Sequence, residues 1–61
     1  MYNEYDIVTP KKKISDKINT DTKGTVLEVF RDNPNSYIVE FMDEDGNTLG
    51  VLTLEEGELK G

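Results

Sequence analysis

The 61 residues make a single domain spanning 1–61, and a chain this short buries only about 60% of its unfolded surface. Thirteen acidic residues against seven basic ones give a net charge of −6, and Cys and His are both missing. Disulfides, thiolate or imidazole metal sites and the Ser-His and Cys-His pairs of nucleophilic catalysis are therefore excluded.

The N-terminal run Met1-Tyr2-Asn3-Glu4-Tyr5-Asp6 has neither the basic nor the apolar region of a signal peptide. No stretch approaches the roughly 18 apolar residues of a membrane span, so a cytoplasmic protein is expected. Tyr5 to Thr9 is a short β-prone run that Pro10 ends, because proline has no N–H for a ladder. Residues 11–23 are polar except for Ile14 and Ile18, whose i, i+4 spacing is too little for a helix. The segment is predicted to be a long loop pinned to the core by both isoleucines.

Gly24 opens a second strand, Thr25 to Phe30, and Arg31 to Ser36 is a cluster of turn formers. From Tyr37 to Met42, two sets of alternating residues give the period-2 pattern of a third strand. Asp45-Gly46 then predicts a two-residue type I′ turn, which needs φ > 0 at both positions. That turn sets Met42 against Leu49, Phe41 against Gly50, Val39 against Leu52 and Tyr37 against Leu54. One face then holds Tyr37, Val39, Phe41, Leu52 and Leu54 as core, with Gly50 leaving room for the Phe41 ring. The other face holds Ile38, Glu40, Met42, Leu49, Val51 and Thr53. Glu55 to Glu58 reads as a turn, and Leu59 closes a last short strand. Four strands plus a short fifth, with no convincing helix, predict an all-β small barrel.

Four segments of the chain carry a family resemblance. Tyr5-Asp6-Ile7-Val8, Gly24-Thr25-Val26-Leu27-Glu28-Val29-Phe30, Tyr37-Ile38-Val39-Glu40-Phe41-Met42-Asp43 and the stretch from Gly46 to Leu54 carry it. Across nearly its whole length the chain resembles a bacterial family of small uncharacterised SH3-like domains, the domain of unknown function DUF4926. The resemblance implies a five-stranded SH3-like barrel with a long first loop. It also implies an antitoxin or immunity role, since similar domains look to occur beside toxin-like genes. The family favours an apolar residue before the glycine of "GTV", where this chain has Lys23, and Gly-Asp ahead of it, where this chain has Asp21-Thr22.

Counted from Asp43, the acidic turn fails the calcium-loop pattern: its sixth residue is Thr48 and its twelfth is Leu54, not Gly and Glu. Glu55 and Glu56 lie in a like-charged polar run, without the pocket that acid–base chemistry needs. Neither an enzyme nor a bound cofactor or metal is expected. Lys11, Lys12 and Lys13, with Lys17 and Lys23, form the one basic loop, and Tyr2, Tyr5 or Tyr37 could stack on RNA bases beside it. Opposing that, residues 1–31 carry five acids and six bases, whereas residues 32–61 carry eight acids and one base. The second half repels a polyanion and attracts a basic protein.

Ile38, Met42, Leu49 and Val51 have two readings. Either the long loop or the second wall of a curled sheet covers them, or they form an exposed protein-contact patch. With Asp43, Glu44 and Asp45 beside them, these seven residues are the candidate surface for a basic protein partner. The expected function is non-catalytic protein binding, with an RNA-associated module and a structural accessory domain as alternatives. Partner identity and oligomeric state stay open.

Overall fold

The computed structural model describes residues 1–61. Its strands are β1 (Ile7–Pro10), β2 (Gly24–Phe30), β3 (Ser36–Met42), β4 (Thr48–Glu55) and β5 (Leu59–Lys60), with a 3₁₀ turn at Glu56–Glu58 before the last. All pairings are antiparallel and the sheet order is β4-β3-β2-β1-β5. The fold is all-β, but β4 and β5 do not pair, so the hydrogen-bonded sheet is open where a closed barrel was expected.

The core is the concave side of this one curled sheet. Val8, Val26, Tyr37, Val39, Phe41, Leu54 and Leu59 are buried there together with Ile18 from the long loop. The expected register holds at Phe41–Gly50, Val39–Leu52 and Tyr37–Leu54. Its cause differs from the expected one. Asp43 N–H donates to the Asn47 carbonyl and Gly46 N–H to the Asp43 carbonyl, which encloses a three-residue loop, Glu44-Asp45-Gly46. Gly46 has φ 86, and Asp45 is not among the residues with positive φ, so the type I′ turn is replaced by a type I turn with a left-handed glycine. An odd loop alone would flip the faces of β4. A bulge at Leu49 restores them: Met42 pairs with Thr48 and Phe41 with Gly50, leaving Leu49 as the extra residue.

Three other expectations change. The first strand starts at Ile7 instead of Tyr5, because Asn3 to Asp6 forms a turn with Tyr5 at φ 70. Only one isoleucine pins the long loop: Ile18 is 3% exposed, whereas Ile14 is 39% exposed. The room for the Phe41 ring lies at Gly24, where a Cβ would sit 2.5 Å from Val39 and 2.8 Å from the ring. At Gly50 the nearest atom is Ile18 Cδ1 at 3.2 Å, so that glycine admits the loop instead.

The loop takes no helical form because its polar side chains bind its own backbone. Ser15 Oγ accepts from Ile18 N–H at 3.2 Å, Asn19 Oδ1 from Asp21 N–H at 2.8 Å and Thr22 Oγ1 from Asn19 N–H at 3.0 Å. No helix is long and apolar enough to cross a membrane.

Candidate functional site

The convex face of the sheet is built from the residues that alternate with the core. Across four strands one row runs Ile7, Thr25, Glu40, Val51, and the next runs Glu28, Ile38, Thr53. A bulge places Leu27 outside as well, since Val26 pairs with Val39 and Glu28 with Ile38. Ile7 is 56% exposed and Val51 54%, and Leu27 and Phe30 are also open to solvent. Ile18 of the long loop inserts on the opposite, concave side, and on this side the loop borders only the Ile7–Thr25 end of the strip, across a cleft lined by Lys17 and Lys23.

Along β2, β3 and β4 the charge on this face has one sign, whereas Lys60 beside Thr9 and Lys23 just before Gly24 border it with positive charge. β2, β3 and β4 contain Glu28, Glu40 and Glu55 and no Lys or Arg. Glu40 is held in place by Thr48, whose Oγ1 donates to Glu40 Oε2 at 2.6 Å.

The seven candidate residues divide into three groups. Ile38 and Val51 lie on the convex face. Glu44 and Asp45 are exposed at the hairpin tip. Met42, Asp43 and Leu49 are half-buried, and each is partly committed to structure. Leu49 packs against the core, and Met42 N–H donates to the Lys23 carbonyl at 3.1 Å. Asp43 folds back on its own turn: Oδ1 accepts from the Asp45 and Asn47 N–H groups at 2.9 Å each, and Oδ2 from Asn47 Nδ2 at 3.1 Å. The Asn47 bonds hold the Asp43 carboxyl below the usual carboxylate range. A cleft of about 730 Å³ opens where the hairpin tip meets the end of the long loop. Its rim mixes Lys17 and Lys23 with Asp21, Asp43 and Glu44, so it presents no field of one sign.

A polar cluster closes the far end of the β3–β4 ladder. The buried Tyr37 hydroxyl donates to Glu56 Oε1 and accepts from Tyr2 N–H at 3.2 Å, and the two tyrosine rings meet edge to face at 5.5 Å. The N-terminal amine lies 3.0 Å from Glu56 Oε2, and Asn35 Nδ2 donates to Glu56 at 3.3 Å. The Tyr37 hydroxyl and then the amine pull the Glu56 carboxyl down to about 2. Burial, reinforced by Glu56, raises the Tyr37 phenol. These groups satisfy one another and leave no open position for a substrate. No three acidic side chains converge as a metal would require.

Of the three tyrosines considered for RNA stacking, Tyr37 is buried, Tyr2 packs on it, and only Tyr5 stands free. Tyr5 and Lys11 lie at opposite ends of β1, up to roughly 20 Å apart along the chain. Ile7, Leu27, Glu28, Phe30 and Glu40 belong to the candidate surface and were missed in the sequence. The lack of any base in β2 to β4 was a legible signal for the glutamates. Leu27 had none, since only the bulge turns it outward.

A family model described as Domain of unknown function (DUF4926) matches residues 4–60, and the chain belongs to that family. No curated protein and no solved structure matches it.

Proposed function

We propose that this member of the DUF4926 family is a non-catalytic module that binds a basic protein on the convex face of β2, β3 and β4. In this reading it acts in the bacterial cytoplasm as an antitoxin or immunity-type inhibitor. The observation that carries it is the composition of that face: exposed Ile7, Leu27, Phe30 and Val51 set among Glu28, Glu40 and Glu55, with no base in the three strands. Apolar residues there give contact area, and the acidic field of the three strands raises the encounter rate with a cationic partner. The finer fold belongs to the same proposal. A four-stranded meander, a 3₁₀ turn and a last strand that returns to β1 support an SH3-like half-open barrel, with the β2 bulge at Leu27 bending the sheet.

The test is kinetic. A partner recovered from the native cell is immobilised and the full chain passed over it by surface plasmon resonance. Reversing Glu28 and Glu40 together to Lys should lower the on-rate by roughly tenfold and flatten its salt dependence. Truncating Val51 to Ala should act on the off-rate. Changing Lys11, Lys12 and Lys13 to Gln should alter neither. Loss of binding through the lysine changes alone would transfer the function to the basic loop, where the three lysines surround a cleft of about 530 Å³ reaching Leu54.

A further inference from the structure

β4 is the longest strand, with eight residues, and it forms an edge of the sheet. Two bonds beyond the ladder fix the direction of its backbone groups. Glu56 N–H donates to the Asn35 carbonyl at 3.0 Å, while Met42 N–H turns away from β4 to the Lys23 carbonyl at 3.1 Å. Antiparallel pairs alternate between bonded and non-bonded. The bonded pairs are therefore Tyr37–Leu54, Val39–Leu52 and Phe41–Gly50, and the N–H and C=O groups of Val51 and Thr53 point off the sheet. No backbone bond outside the ladder reaches them. The next outward N–H, that of Glu55, already has a partner, donating to Glu58 Oε1 at 2.9 Å.

Natural edges are usually blunted by Pro, Lys or a covering segment. Thr48–Glu55 contains no Pro, Lys or Arg, and its one bulge, at Leu49, leaves residues 50–54 regular. Leu52 is on the core face opposite fully buried Val39, yet it is only half-buried. What it lacks is a neighbour on the edge side. On the convex side the charges nearest this edge are Glu40, opposite Val51, and Glu55.

We infer that β4 takes up an extended segment of the basic partner by antiparallel strand addition. Apolar residues of that segment cover Leu52, and alternating Lys or Arg residues face Glu40 and Glu55. This rests on the binding role proposed above and adds its mode. Main-chain bonds to Val51 and Thr53 hold the segment, and the alternation of its side chains sets register.

The probes are three end-capped seven-residue peptides: alternating Lys and Val, the same sequence N-methylated at every amide, and alternating Glu and Val. Each is titrated into the full-length ¹⁵N-labelled chain, with amide exchange followed by NMR. The Lys-Val peptide should slow exchange at Val51 and Thr53 by at least tenfold. Full N-methylation should weaken binding by at least tenfold, and the Glu-Val peptide should not bind. Thr53→Pro removes an outward N–H and no ladder bond, so it should stay folded and lose at least tenfold in affinity; the methylated peptide gives the same reading without changing the protein. Equal affinity for the methylated and unmethylated Lys-Val peptides would overturn strand addition while leaving the acidic face as the binding surface. Protection elsewhere, or no binding by either, also overturns it. So does a dimer in sedimentation whose Val51 and Thr53 amides are protected without peptide, since the edge would then belong to a second copy.

Discussion

Gly24 is the tightest point of the core. A methyl group there would sit 2.5 Å from Val39 Cγ1 and within 2.9 Å of two Phe41 ring atoms, all of them in fully buried side chains. Gly24→Ala should therefore cost about 1–3 kcal/mol through overpacking, read from urea unfolding. Gly57→Ala is the control, with nothing within 4 Å of the added methyl, and it should stay within about 0.5 kcal/mol of the parent. Glu56 makes a second prediction at this scale. Its folded carboxyl lies at about 2 against an ordinary 4.5. A depressed acid contributes stability that is complete above its unfolded value and is lost as pH falls through its folded one. Thermal melting of the parent should therefore fall between pH 4.5 and 2 more steeply than that of Glu56→Gln. Parallel curves for the two proteins would show that the contact of Glu56 with Tyr37 has no such linkage.

At the scale of elements, the β3–β4 hairpin joins two local rules that offset each other. The three-residue loop shifts the pairing by one, and the bulge at Leu49 shifts it back. Gly46 takes the left-handed position without strain, whereas its φ of 86 suits no side chain well although space around it is open. Gly46→Ala should destabilise by about 1 kcal/mol in urea unfolding through backbone strain alone, and a neutral result would mean that the turn has another form. The hairpin also marks how far the sequence could be read. Alternation at Tyr37, Val39 and Phe41 fixed the core side, because a misplaced face would have exposed three large side chains. The turn type was not legible: Asp-Gly favours a two-residue loop, yet its glycine also serves the left-handed position of a three-residue loop, and the bulge that decides between them leaves no residue signature at Leu49. The same holds for the long loop. Ile14 and Ile18 look alike in sequence, and only the gap over Gly50 selects Ile18 for the core. Ile38 and Val51 of the candidate strip were legible from alternation. Ile7 and Leu27 were not, since they reach that face through the β1–β2 pairing and the β2 bulge.

For the whole molecule, the consequence is a division of faces. The concave side, closed by Ile18 and Tyr2, is used up in holding together a 61-residue chain without a disulfide. The convex side keeps Ile7, Leu27, Phe30 and Val51 in solvent among glutamates, the clustered apolar exposure that marks contact surfaces. Lys11, Lys12 and Lys13 line a separate cleft at Leu54, whereas Lys17 and Lys23 border the Ile7 end of the convex face. Whether a partner sits on the convex acidic face can be tested by site-specific photocrosslinking in the native cell. Benzoylphenylalanine placed at Val51 or Leu27 should yield an adduct with one basic protein, identified by mass spectrometry, and at Lys12 it should yield none. Adducts that form from Lys12 while Val51 and Leu27 stay silent would place the partner on the basic loop instead.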